Sequence, residues 1–305
     1  MKLRLLLILS FTLLLAACGS NVEKNAQDEK LHIYTTVFPL YSMTKEIGGD
    51  TVVVESVYPK NVNVHSYEPS QKDTLKFAEG DLFIYVNDDL EPLAKKIKGT
   101  IGSHTETLAS FKETDEIIEE DHAHEEHDEH NHGAHDPHVW LDPNLSLKMA
   151  TEIANKLSEM KPEHKELYQD NLKKLETDLK ELDKELINIT KNKKRDTVYI
   201  SHESLGYLAH RYNFEQVGIS GLNNEEPSQK ELIKIVTHIN EENIPYILYE
   251  QNVSSRVTDM IGRETSAEFL PFHNLESLTD KDPSDSTYQI LMEKNIKSLN
   301  DALNK

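Results

Sequence analysis

Residues 168–189 read YQDNLKKLETDLKELDKELINI. Tyr168, Leu172, Leu175, Leu179, Leu182, Leu186 and Ile189 recur there at alternating spacings of four and three. That period lays one apolar stripe along a helix and leaves charge on the remaining surface. Such a helix, about 27 residues long, would reach about 40 Å at 1.5 Å per residue. Two copies could zip together as a coiled coil, or one copy could lie along the chain's own core. The flanking sequence favours the second arrangement, a single helix lying along two lobes and connecting them.

On the N-terminal side, strand patterns at 31–37, 51–57 and 82–86 alternate with helical patterns at 39–47, 71–79 and 90–98. On the C-terminal side, strands are expected at 197–200, 216–219, 244–249 and 269–272, separated by helices, with a last helix over 285–305. Short apolar strands alternating with helices indicate βαβ units and parallel sheets. The expected fold class is α/β: two lobes, each a mainly parallel sheet flanked by helices, joined by one long connecting helix. The expected N-terminal lobe is 31–160, the linking helix 161–191 and the C-terminal lobe 192–305. Asn144 is expected to cap the helix before the linker, and Pro162 to begin the linker itself. No repeat of fixed period is visible.

The first 17 residues have the layout of a secretory signal peptide. Lys2 and Arg4 precede an apolar run from Leu5 to Leu14, too short to span a membrane. Leu15-Ala16-Ala17-Cys18 follows and resembles a bacterial lipobox, with the chain's single cysteine at its end. The resemblance implies cleavage before Cys18 and diacylglyceryl modification of its sulfur. Residues 18–30 then form a polar tether. With Cys18 consumed, any metal must be held by His, Asp or Glu. Without Lys2 and Arg4 the formal net charge of −21 becomes −23, which disfavours nucleic acid and anionic lipid.

Seven of the 15 histidines fall between His122 and His138, in DHAHEEHDEHNHGAHDPH. His122, His124, His127, His130, His132 and His135 lie within an acidic His-rich loop, 121–137, that reads as an accessory metal-binding tract. His138 opens an apolar segment, Val139-Trp140-Leu141. His65 and His202 likewise sit beside strand ends, where open α/β sheets place ligands. Three imidazoles leave one position of a tetrahedron. Glu276, Asp280 and Glu250 are candidates to fill it, and Glu276 is preferred because it too follows a strand. Glu68 and Glu203, each near a candidate ligand, are expected to orient an imidazole. His124-Glu125-Glu126-His127 lacks the His-Glu-x-x-His spacing of zinc hydrolases, so no enzyme is expected.

From residue 31 onward the chain resembles the metal-specific substrate-binding proteins of ABC importers. The residues that carry this are Val64-His65-Ser66-Tyr67-Glu68-Pro69-Ser70, His138-Val139-Trp140-Leu141-Asp142-Pro143 and His202-Glu203-Ser204-Leu205-Gly206-Tyr207, with Glu250-Gln251 and Asn274-Leu275-Glu276-Ser277-Leu278. The resemblance implies two α/β lobes joined by a long helix, with a metal ion held between them by His65, His138, His202 and Glu276. Manganese-type members usually carry Glu where this chain has His202. Its imidazole and the His-rich insert resemble the zinc type, in keeping with the preference of zinc for nitrogen ligands. The implied function is an extracytoplasmic receptor that passes Zn²⁺, as transported ligand, to an ABC permease and its ATPase. The alternatives are a manganese receptor of the same family and a surface adhesin or metal buffer. A monomer is expected, lipid-anchored on the extracytoplasmic face of a Gram-positive-type cell surface. Asn87-Asp88-Asp89 departs from the family, which has glycines in that turn.

Overall fold

Buried β-branched and aromatic residues build the first sheet. Its strands are β1 (Leu31–Thr35), β2 (Val52–Ser56), β3 (Leu82–Tyr85) and β4 (Glu106–Ala109). They lie in the order β2-β1-β3-β4, and every pairing is parallel. All four residues of β3 are buried, as a strand covered on both faces requires. The second sheet repeats the plan with β5 (Thr197–His202), β6 (Glu215–Ser220), β7 (Tyr246–Glu250) and β8 (Glu268–Phe272), in the order β6-β5-β7-β8. Its pairings are parallel as well. The computed structural model describes residues 30–103, 105–112, 117, 135–223, 225–250 and 256–305. The expected leader, Cys18, the tether up to residue 29 and five of the loop histidines (His122, His124, His127, His130, His132) lie outside the described residues.

The helices are α1 (Phe38–Gly48), α2 (Gln71–Phe77), α3 (Pro92–Ile101), α4 (Pro143–Met160), α5 (Lys165–Thr190), α6 (Gly206–Tyr212), α7 (Gln229–Glu241), α8 (Arg256–Glu264) and α9 (Tyr288–Asn304). Gly49, at φ +53°, ends α1 in a conformation that a side chain would disfavour. The long helix is α5, 26 residues. Its stripe from Tyr168 to Leu186 is buried against α1, α4 and α9 of the same chain. The seam that a coiled coil would need is therefore already occupied. One apolar cluster runs from the first sheet through α5 into β5, β7 and α9.

Leu179 is 1 % exposed and Ile187, on the same helix, is 51 % exposed. Leu179→Ala is expected to cost about 2–5 kcal/mol of unfolding free energy, and Ile187→Ala under about 0.5 kcal/mol. Urea titration of both variants checks this. Equal losses would show that the stripe is not the helix's buried face.

Four local expectations change. Strand β4 is absent from the sequence reading, because its four residues are too few for an alternation to stand out. Helix α4 is capped by Asp142 rather than Asn144. The Asp142 Oδ1 accepts the Asn144 amide N–H at 2.8 Å, while the Asn144 side chain donates to Asp183 of α5 at 2.7 Å. Pro162 begins a separate 3₁₀ turn, Pro162–His164, ahead of α5. His202 is the last residue of β5 rather than a loop residue beyond it.

The two halves also share a local duplication. Glu68-Pro69-Ser70-Gln71-Lys72-Asp73 and Glu226-Pro227-Ser228-Gln229-Lys230-Glu231 start α2 and α7, the helices that follow corresponding strands of the two sheets. Each start is a reciprocal capping box, Ser70 with Asp73 and Ser228 with Glu231. Five residues beyond each serine stands a large exposed apolar residue, Leu75 at 68 % and Ile233 at 60 %.

Candidate metal centre

Each donor is delivered by a different connection. His65 lies in the loop after β2, and His138 precedes the 3₁₀ turn Val139–Leu141 that leads into α4. His202 ends β5, and Glu276 lies in the segment after β8. One ligand atom from each of these four residues falls within 4.8 Å of all the others. The ring centroids of His65, His138 and His202 are 4.9–6.0 Å apart. His138, His202 and Glu276 are buried, and His65 is half-buried.

Glu276 binds the group together. Its Oε1 is 2.9 Å from the His65 Nε2 and 3.3 Å from the His138 Nε2. The second contact is a hydrogen bond. The first is close but poorly aligned, so the buried His65 Nε2 has no hydrogen-bond partner among the described residues. A buried ring nitrogen left without an aligned hydrogen bond, next to two other imidazoles, suits an ion.

The backbone at Glu276 is held firmly. Leu275 before it is fully buried and has φ +65°, a region that residues other than glycine rarely occupy. Such a conformation persists where its surroundings over-determine it. Here the Trp140 Nε1 donates to the Asn274 carbonyl at 2.8 Å, and the Phe38 N–H donates to the Glu276 carbonyl at 3.1 Å. The Asn274 side chain meets both the Glu276 amide (3.1 Å) and its Oε2 (3.0 Å).

Two carboxylates stand behind the imidazoles. Asp136 Oδ1 takes the His138 Nδ1 at 2.7 Å and the His138 amide at 2.9 Å. Glu250 Oε2 takes the His202 Nδ1 at 2.9 Å and is steadied by Ser201, while Ser204 donates to its Oε1 at 2.7 Å. The His202 Nε2 faces the Leu222 carbonyl at 2.9 Å. Both rings thus meet acceptors at both nitrogens, an arrangement that imidazolium satisfies and neutral imidazole does not. Burial opposes that charge on His138, but Asp136 and then Glu276 outweigh it and hold its pKa well above the imidazole range. Burial likewise opposes charge on His202, and Glu250 raises its pKa. Glu276 is buried too, yet its contacts with His138 and His65 keep it ionised far below the usual carboxylate range.

One expected orienting residue, Glu68, is corrected by these contacts. Glu68 is exposed and pairs with Lys96 at 3.4 Å, so it serves no imidazole. Glu203 packs against Gly218, and the carboxylates at His138 and His202 are Asp136 and Glu250. Of the candidates for the fourth position, Glu250 sits behind a ring instead. Asp280 accepts from the Asn61 side chain in an exposed pair. Two signals for Asp136 were available: its place two residues before His138, and Gly206, whose absent Cβ leaves room for the Asp136 Oδ2, 2.2 Å from where that atom would stand. Glu250→Gln, which weakens the grip on the His202 Nδ1, is expected to lower metal affinity about 10- to 100-fold. Competition with a chromophoric chelator measures it, and unchanged affinity would remove Glu250 from the site.

Two parallel-sheet lobes sharing one long helix, with a His₃Glu cluster where their loops meet, define the solute-receptor class whose ligand is a metal ion. The chain belongs to the family described as zinc-uptake complex component A, periplasmic (ZnuA), whose model matches residues 33–302. It is 33 % identical over 310 residues to the high-affinity zinc uptake system protein ZnuA of Bacillus subtilis, covering 98 % of this chain and 97 % of that one. It is also 33 % identical over 306 residues to the zinc-binding lipoprotein AdcA of Streptococcus pneumoniae, covering 98 % of this chain. The match takes in only 60 % of that relative's length. The crystal structure of the Zn(II)-bound ZnuA-like domain of Streptococcus pneumoniae AdcA superposes with a TM-score of 0.75 at 30 % identity, covering 90 % of this chain and 100 % of that one.

Proposed function

We propose that this protein captures Zn²⁺ outside the cytoplasm and hands it to an ABC permease driven by a cytoplasmic ATPase. The convergence of His65, His138, His202 and Glu276 within 4.8 Å carries the reading. Three nitrogens and one carboxylate oxygen make a tetrahedral set for zinc, and an octahedral ion such as manganese prefers more oxygen. Asp136 and Glu250 fix the ring orientations, so little ordering remains when the ion arrives. The role is binding and delivery rather than catalysis. Cys18, as a lipidated residue, would tether the protein to the membrane surface. The His-rich segment would gather zinc more weakly than the four converging donors.

Metal analysis of the purified protein, offered zinc and manganese together near neutral pH, tests the reading. One tightly held zinc that survives deletion of residues 121–134 is the expected result. Preference for manganese at that site, or loss of all zinc with the deleted segment, would overturn it.

A further inference from the structure

A cavity of about 530 Å³ reaches two of the four donors. His65 and Glu276 line it together with the buried Tyr58 and Glu91, and so do the exposed Asp89 and His135. It therefore connects solvent-facing groups with two of the candidate ligands. His135 is the last histidine of the His-rich tract, so that tract ends at this cavity.

Glu91 is the wall residue that the fold does not use up. Its Oε2 accepts the Val86 N–H at 2.5 Å and the Thr36 hydroxyl at 3.0 Å. Its Oε1 is buried with no hydrogen-bond partner among the described residues, in a side chain belonging to a residue only 7 % exposed. Leaving a buried acceptor unpaired works against folding, and such an atom calls for an explanation in ligand terms. The phenol of Tyr58 senses carboxylates on this wall: burial raises its pKa, then Glu91, then Glu276. Burial pushes the Glu91 carboxyl up to about 7, so near neutral pH it is charged only in part, and the carboxylate of the exposed Asp89 adds negative potential at the mouth, a field that draws cations.

We propose that Glu91 is a transit site for Zn²⁺ on its way to the four donors, an inference that rests on the zinc reading above. The ion enters past Asp89 and His135, meets the free Oε1 of Glu91 while still partly hydrated, and passes to His65 and Glu276. Among the described residues the only group of three or more such donors is the one already described. Glu91 therefore holds the ion weakly, and a site on a path must bind enough to admit an ion yet release it.

Stopped-flow binding of Zn²⁺ alone to the full-length protein tests this, with Glu91→Gln and Asp89→Asn compared against the parent. Both variants are expected to slow association about three- to tenfold, as removal of focusing charge does. For Glu91→Gln dissociation should slow by the same factor, because entry and exit share the path, whereas Asp89→Asn should act on association and leave dissociation within about twofold. If Glu91→Gln melts at a lower temperature, Asp89→Asn carries the test, since its side chain is exposed. Association at the parent rate in both variants would overturn the transit site while leaving the four-donor reading intact. A parent protein that takes up no zinc would overturn both.

Discussion

The His202→Ala protein is expected to bind Zn²⁺ about 60- to 700-fold more weakly than the parent. Zinc held by four protein donors is worth roughly 10–16 kcal/mol near neutral pH, so an equal share is about 2.5–4 kcal/mol. Each 1.4 kcal/mol is about tenfold in Kd. His202 is fully buried at the end of β5, so no exposed neighbour can swing in to replace it. The loss also leaves Glu250 with only its serine and backbone contacts. Competition against a chelator of known affinity gives the ratio, and a melting curve of the metal-free variant separates misfolding from lost coordination. A Kd within tenfold of the parent would mean that the ion sits elsewhere.

Acid is expected to have a larger effect still. In the metal-free protein His138 and His202 both hold a proton above the ordinary imidazole range, because Asp136 and Glu250 favour the charged rings. Glu276 is ionised throughout and contributes no proton. Zinc must therefore displace two protons, one from each ring. The sign follows: as pH falls, protons compete better and affinity drops. Two protons give about a 100-fold change per pH unit between roughly pH 5.5 and 7.5. Apparent Kd at three pH values in that window gives the slope. A slope near zero would mean that both rings are already neutral before the ion arrives.

Sequence reading reached some features more easily than others, for physical reasons. The stripe of α5 was legible because seven apolar positions at a constant period leave one buried face and no strand alternative. His65, His138 and His202 stood out because each is polar at the edge of an apolar run, and a chain places such residues where strands end. Asp136 was hidden among acidic and histidine residues of its own kind. Only its 2.7 Å contact with His138 and the room left by Gly206 distinguish it. Glu68 was misread because nearness in sequence to His65 was taken for nearness in space, and in an irregular loop the side chain instead turned to Lys96. Glu250 stands among the candidate donors in the sequence, behind the preferred Glu276, and in the fold it supports the His202 ring instead. The distinction is a matter of which side of the His202 ring it occupies, and no spacing rule encodes that. The duplicated helix starts are hard to see because five identical residues recurring once, 158 positions apart (68 against 226), make no period.

The shared core also bears on separability. From Leu31 onward the chain clusters as one compact unit. Helix α9, at the end of the chain, packs on α1 and α5 as well as on β5, β7 and β8. Severing the chain between Thr190 and Thr197 would not yield two independent modules. One fragment would lose the cover that α9 gives α5, and the other would keep Leu291, Met292 and Leu299 of α9 without α1 and α5 to pack on. At about 1.5–3 kcal/mol for each large apolar side chain returned to water, either piece would forfeit a sum comparable to the 5–15 kcal/mol that typically holds a whole domain together. The two sheets look like parts that could be exchanged, but the interior makes them a single indivisible piece.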